Sequence, residues 1–169
     1  MANLLLAMGR PTEAEKHIRV ALETGPKVLQ PDHHLMGETT HMLGLILRAQ
    51  GRHEEASQSF ARAAEIFKKA FNETHASVAS ARIELGIELT SLGRFPEAER
   101  ELLAAYKILG KDPGGQDASS AKCAAAIAGM YAAWDRAEPG RGFGAKAREW
   151  KLRTTPSESQ PATQPISRQ

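Results

Sequence analysis

The sequence predicts an all-α fold, a right-handed α–α superhelix of stacked helical hairpins. A Gly-Arg pair recurs at Gly9-Arg10, Gly51-Arg52 and Gly93-Arg94, 42 residues apart each time. Self-similarity at a fixed period of this size marks a stacked repeat architecture. The surroundings recur too. Glu13-Ala14, Glu55-Ala56 and Glu97-Ala98 follow the three pairs, Ala21, Ala63 and Ala105 lie further on, and Leu43-Gly44 and Leu85-Gly86 precede the last two.

Each pair reads as a helix end. Gly closes a helix in the left-handed conformation without steric cost. Apolar-periodic segments flank it, and Pro11 and Pro96 suit the first turn of a new helix. The unit is therefore helix, tight turn, helix, and neighbouring units must stack to bury both faces.

Taken in order, residues 1–8 are the end of a first helix, with Met1 at the repeat position held by Leu43 and Leu85. A second helix is expected from Pro11 to Thr24, with Ala14, Ile18 and Ala21 on one face. Gly25-Pro26 breaks it. The next hairpin is expected over 35–50 and 54–70, with Ala56, Phe60, Ala63 and Phe67 as its buried stripe. The third is expected over 76–91 and 96–109. Val78, Leu85, Leu89 and Leu92 line its first helix, and Ala98, Leu102, Ala105 and Leu109 its second. The connectors share the period through His33, His75 and Asp117. A loop at 111–115 leads to a fourth hairpin whose first helix is expected over 118–134. There Asp135-Arg136 stands where Gly-Arg is due, an insertion runs from Pro139 to Gly144, and a short helix resumes with Ala147 and Trp150. Terminal repeats are atypical because they cap the stack. The solenoid is expected over residues 1–153, its first repeat truncated and its last degenerate. The Pro-, Ser-, Thr- and Gln-rich segment 154–169 is expected to be disordered.

Composition bounds the function. The 169 residues are 41% hydrophobic but only 5% aromatic, so the core must be built from Leu, Ala and Ile. The net charge of +2, with acids and bases mixed, argues against a nucleic-acid footprint, which needs a clustered basic face. The single cysteine, Cys123, forms no internal disulfide. Leu4-Leu5-Leu6-Ala7-Met8 is too short for a signal-peptide core, and no run reaches the length of a membrane span. The expectation is a soluble, cytoplasmic protein with no membrane association.

The unit Leu43-Gly44, Leu47, Gly51-Arg52, Glu55-Ala56, Phe60, Ala63 resembles a tetratricopeptide repeat. Leu85-Gly86, Leu89, Gly93-Arg94, Glu97-Ala98, Leu102, Ala105 resembles it again. The common period is about 34 residues. The longer one here resembles the 42-residue variety of kinesin light chains and many bacterial signalling proteins. Met130-Tyr131-Ala132-Ala133-Trp134 with Ala147-Arg148-Glu149-Trp150 resembles the end of the repeat tail on some bacterial serine/threonine protein kinases.

The resemblance implies a groove lined by the first helices that binds an extended or helical peptide. Its positions fall on Asn3 and Leu6; on Glu38, His41, Leu45 and Arg48; on Ser80, Ile83, Ile87 and Thr90; and on Lys122 and Ala125. Chaperone-binding members use a clamp of Lys, Asn and Arg. Here only Arg48 and Lys122 are basic, and Leu45, Ile87, His41 and Ile83 occupy other clamp positions. A clamp for an acidic C-terminal peptide is therefore not expected. Leu45, Ile83 and Ile87 suggest an apolar strip suited to a helix lying in a groove.

No chemistry competes with this reading. His34, Glu38 and His41 share a helix face and include metal-ligand types, but no matching cluster appears in the third repeat, so no metal or other cofactor is expected. His53-Glu54-Glu55 begins a zinc-protease motif that fails at Ser57. Gly140, Gly142 and Gly144 follow no strand, so a phosphate loop is not indicated. Cys123 sits among alanines, as a small residue in a helix interface. Trp134 and Trp150 are expected to cap the last repeat. The reading is a non-catalytic protein-interaction module. The alternative is the C-terminal repeat segment of a larger bacterial serine/threonine kinase or signalling protein. Either further repeats upstream of Met1 or self-association through the N-terminal end is also expected, since Leu4, Leu5, Leu6 and Met8 lack neighbours there.

Overall fold

Three turns set the architecture. Gly9, Gly51 and Gly93 adopt φ of +70°, +74° and +72°, the left-handed region where a Cβ is disfavoured. At each, the next Arg donates its N–H across the helix end: Arg10 to Leu5, Arg52 to Leu47 and Arg94 to Leu89, at 2.9, 2.9 and 2.8 Å. The Gly N–H bonds to the carbonyl three residues back. This double closure satisfies carbonyls that a helix end leaves orphaned. The Arg side chain then reaches the Glu three residues on, in Arg10–Glu13, Arg52–Glu55 and Arg94–Glu97 at 2.6, 2.5 and 2.7 Å. One motif thus ends a helix and opens the next.

The computed structural model describes residues 2–110 and 118–154. Within them lie α1 (Ala2–Ala7), α2 (Pro11–Thr24), α3 (His34–Ala49), α4 (His53–Ala70), α5 (Ala76–Ser91), α6 (Phe95–Leu109), α7 (Ala118–Ala137) and α8 (Phe143–Leu152). A 3-10 turn at Gly25–Lys27 follows α2, and the described residues contain no strand. Consecutive helices pair into the hairpins α1–α2, α3–α4, α5–α6 and α7–α8, and each first helix also packs on the second helix of the hairpin before it. The expected loop at 111–115, the connector residue Asp117 and the expected disordered segment beyond residue 154 lie outside the described residues.

Small residues set the spacing inside each hairpin. A Cβ on Gly44 would come within 2.6 Å of the Phe60 ring, and one on Gly86 would collide with Leu102. The glycine of Leu-Gly is thus the socket for the large residue of the partner helix. Ala14, Ala56 and Ala98 are fully buried, as are Ala63 and Ala105. The helix entries repeat as well. His33 and His75 accept the N–H of Leu35 and Ser77 on Nδ1, at 3.3 and 3.2 Å, so the periodic histidines are N-caps.

The last hairpin differs from its expected bounds. Without a Gly at the repeat position, α7 runs to Ala137, and Gly140 and Gly142, at φ of +82° and +84°, make the turn instead. Asp135 accepts the Gly144 N–H at 2.9 Å and ties the start of α8 back to α7. Trp134 stacks between Phe95 and Phe143, at 5.7 and 3.9 Å, and Tyr106 meets Trp150 edge-on at 4.7 Å. Both tryptophans close this hairpin against α6. No helix of the described residues is long and apolar enough to cross a membrane.

Candidate binding face

The first helices α1, α3, α5 and α7 form one layer, in which α1 lies beside α3 and α5 beside α7. On this layer Glu38, Ser80, Lys122, Asn3 and Ala125 are exposed, while His41, Leu45, Arg48, Ile87, Thr90 and Leu6 are half-buried. Asn3 and Glu38 line a shallow hollow of about 320 Å³ with Ile18 and Met42. Ile83 is different. It is buried in the core cluster that also holds Ala79, Cys123 and Ile127, because α7 covers that side of α5. The expected apolar strip therefore loses its middle member.

What crosses the layer instead is an ionic cluster. Arg48 on α3 meets Glu84 on α5 at 2.6 Å and also pairs with Glu88. Lys122 on α7 pairs with Glu84 from the other side. His53, the first residue of α4, places Nδ1 2.7 Å from the second oxygen of Glu88. Glu84 and Glu88 are 3% and 1% exposed, and such deep burial of a charge is costly unless it is fully paired. Burial pushes the Glu84 carboxyl up, but Lys122 and Arg48 outweigh it and hold it below the usual carboxylate range. The Arg48 guanidinium also lies 5.0 Å from the Phe60 ring centroid, so its face is used as well as its edge.

His41 lies close to this cluster. Its Nε2 is inaccessible and has no hydrogen-bond partner among the described residues, and its ring meets Phe60 edge-on at 5.2 Å. Burial lowers its pKa, opposed by the charge of Glu84. Cys123 is buried, and burial pushes its thiol up to about 12; the thiolate that redox chemistry needs is suppressed. Among the described residues no group of His, Cys, Asp and Glu is placed to hold a metal ion.

Glu84 and Glu88 were not among the residues read from the sequence as groove positions, yet a signal was present. Counting by the period, Glu88 matches Ile46 and Met130, and Glu84 matches Met42 and Ala126. An acid at a register position that is otherwise apolar, and fully buried at Ile46 and Met130, must find a partner within the stack.

This architecture defines an α-solenoid of helical hairpins, and comparison with known proteins places it. The chain belongs to the tetratricopeptide repeat family, whose model matches residues 1–69 and again 38–111. The stack is similar to a solved structure of the Podosopora anserina putative kinesin light chain with nearly identical repeats, at 21% identity and a TM-score of 0.73, covering 95% of this chain and 75% of that one. A single-substitution form of that protein is similar at 21% identity and a TM-score of 0.70, covering 90% of this chain and 72% of the other. BtubC (BKLC) from P. vanneervenii is similar at 20% identity and a TM-score of 0.73, covering 99% of this chain and 68% of that one. No curated protein matches the chain. The family model stops at residue 111, just before the hairpin that lacks the Gly-Arg turn. Repeats of this family mediate protein–protein interaction.

Proposed function

We propose that the chain is a non-catalytic interaction module that holds a peptide or helix against the layer of α1, α3, α5 and α7. The observation that carries this reading is the bridge Arg48–Glu84–Lys122, which fastens three successive first helices to one another. A layer pinned in this way is pre-organised, so little ordering cost falls on binding. Leu45 and Ile87 flank the bridge as half-buried apolar anchors. Glu38, Ser80 and Lys122 supply exposed polar contacts, with Thr90, His41 and Arg48 between them. The occupant best suited to it is an amphipathic segment that sets apolar side chains on Leu45 and Ile87.

Selection of binders from a displayed random-peptide library on the wild-type chain tests this. The selected peptides should bind Leu45→Asp and Ile87→Asp at least about tenfold more weakly, a loss of about 1.4 kcal/mol, while circular dichroism stays helical. Undiminished binding to both variants would move the interaction surface off this layer. Ile83→Asp is unsuitable as a probe, since it places a charge in the core.

A further inference from the structure

Two buried side-chain atoms among the described residues make no hydrogen bond, His41 Nε2 and Glu84 Oε2. Both belong to the layer of first helices, His41 on α3 and Glu84 on α5. Arg48 Nη1 stands 2.6 Å from that Glu84 oxygen, as an ion pair without an aligned N–H. Buried polar atoms left without a hydrogen bond are rare in folded proteins and call for a physical reason. Here two of them fall on one joint.

That joint is made by side chains. Backbones pack between α1 and α3 and between α5 and α7, whereas α3 and α5 are linked chiefly by Arg48 with Glu84 and Glu88. His41 and Arg48 both rest on the Phe60 ring of α4, the imidazole edge-on at 5.2 Å and the guanidinium 5.0 Å from the centroid. The charges that act on the imidazole are Glu84 from α5, Lys122 from α7 and Arg48 of its own helix. Glu88 is engaged by Arg48 and by His53 of α4. Glu38, one turn before His41, is exposed, and Glu15 of α2 turns to Gln50 and Arg52. With both imidazoles neutral, the two buried carboxylates balance Arg48 and Lys122. The buried cluster then holds no spare anion for a third cation.

We propose that His41 is an acid-operated release for the joint between α3 and α5. The neutral ring is accommodated as an apolar filler against Phe60. A proton adds a full charge to a ring whose Nε2 is closed to water, and an unpaired buried charge is costly. Either the helices part so that the ring meets water, or Glu84 turns its free oxygen to the ring and loosens its hold on Arg48. Both outcomes slacken the bridge between α3 and α5. Burial holds His41 neutral below the ordinary histidine value, with Glu84 opposing. The joint is therefore complete at neutral pH and is lost as the pH falls through the folded value. On the reading that this layer binds a peptide, acid separates Leu45 of α3 from Ile87 of α5 and releases the bound segment.

Hydrogen exchange of the full chain at about pH 7.5 and about pH 5.5, across the histidine range, tests the proposal once corrected for the intrinsic rate. In the wild type α3 and α5 should lose protection in acid relative to α6. His41→Gln, which has no titrating ring, should keep it. His53→Gln should respond as the wild type does, because His53 is 43% exposed and meets water without opening the joint. An NMR titration of the wild-type rings covers a His41→Gln chain that does not fold: His41 should titrate below the ordinary histidine value of about 6.5. Titration at or above that value, no loss of protection in acid, or an equal loss in His41→Gln each overturns the proposal. Peptides selected on the neutral chain should leave the wild type in acid and stay on His41→Gln. Peptides that leave both alike overturn the release, whereas a chain that selects no peptide at neutral pH overturns the binding reading and not the joint.

Discussion

Single side chains carry the electrostatics of the stack. Glu15 on α2 is the clearest case. Burial pushes its pKa up, but hydrogen bonds from Gln50, Arg19 and Arg52 outweigh that and bring it to about 2. Two of these donors, Gln50 and Arg52, come from the following hairpin at 2.9 Å, so ionised Glu15 fastens one repeat to the next. Its folded pKa is depressed, so its contribution is complete above the unfolded carboxyl value of about 4.3 and is lost as pH falls towards about 2. Chemical denaturation followed over that window should show a loss of stability that Glu15→Gln makes shallower; equal slopes would remove Glu15 from the account. The Arg48 cluster gives a second test. Arg48→Ala leaves the buried Glu84 to Lys122 alone and the buried Glu88 to His53 alone, and should cost about 3 kcal/mol. Lys122→Ala removes a side chain that is 54% exposed and should cost below about 1 kcal/mol. Urea melts that reverse this order would argue against Arg48 as the central member.

At the scale of an element, the spacing of a hairpin depends on glycine and on imidazole caps. Gly86→Ala gains about 1 kcal/mol of helix propensity but drives a Cβ into Leu102, where overpacking costs about 1–3 kcal/mol. The net effect should be destabilising. Gly129→Ala on α7, whose Cβ meets nothing within 4 Å, should keep its gain and raise the melting temperature. Opposite signs for the two glycines are the expected result, and two stabilising substitutions would show that Leu102 yields. His75→Ala should cost about 1 kcal/mol through the lost cap, with His75→Asp restoring most of it; a neutral His75→Ala would leave the periodic histidines without a structural role. The hairpins themselves were legible beforehand, because a Gly-Arg turn is a local event and its period repeats. The end of α7 was not. Where Gly is replaced by Asp135, nothing local stops the helix, and the aromatic packing of Trp134 on Phe95 and Phe143 lets it run on to Ala137.

Across the whole molecule, each hairpin touches its neighbours in sequence and little else, so stability is a sum of nearest-neighbour terms. Interior hairpins have two such neighbours and α1–α2 has one. Hydrogen exchange of the dilute chain should therefore protect α3, α4 and α5 most and α1 least. Uniform protection from α1 to α6 would mean that the stack unfolds as one unit.

The sequence by itself determined the class of protein, the three Gly-Arg turns and the layer to which each helix belongs. Those depend on period, on glycine at left-handed turns and on apolar spacing, all of them local properties of the chain. The tertiary structure decided which side chains on that layer are free. Ile83 looked available from its place on α5 and is buried because α7 covers it. Arg48 and Lys122 stood out in the sequence as the basic members of the groove positions, and the fold binds both to Glu84, some 36 and 38 residues away in sequence. Burial and ion pairing arise between helices of different hairpins, and no single helix's pattern contains the partner that a neighbouring repeat brings to it.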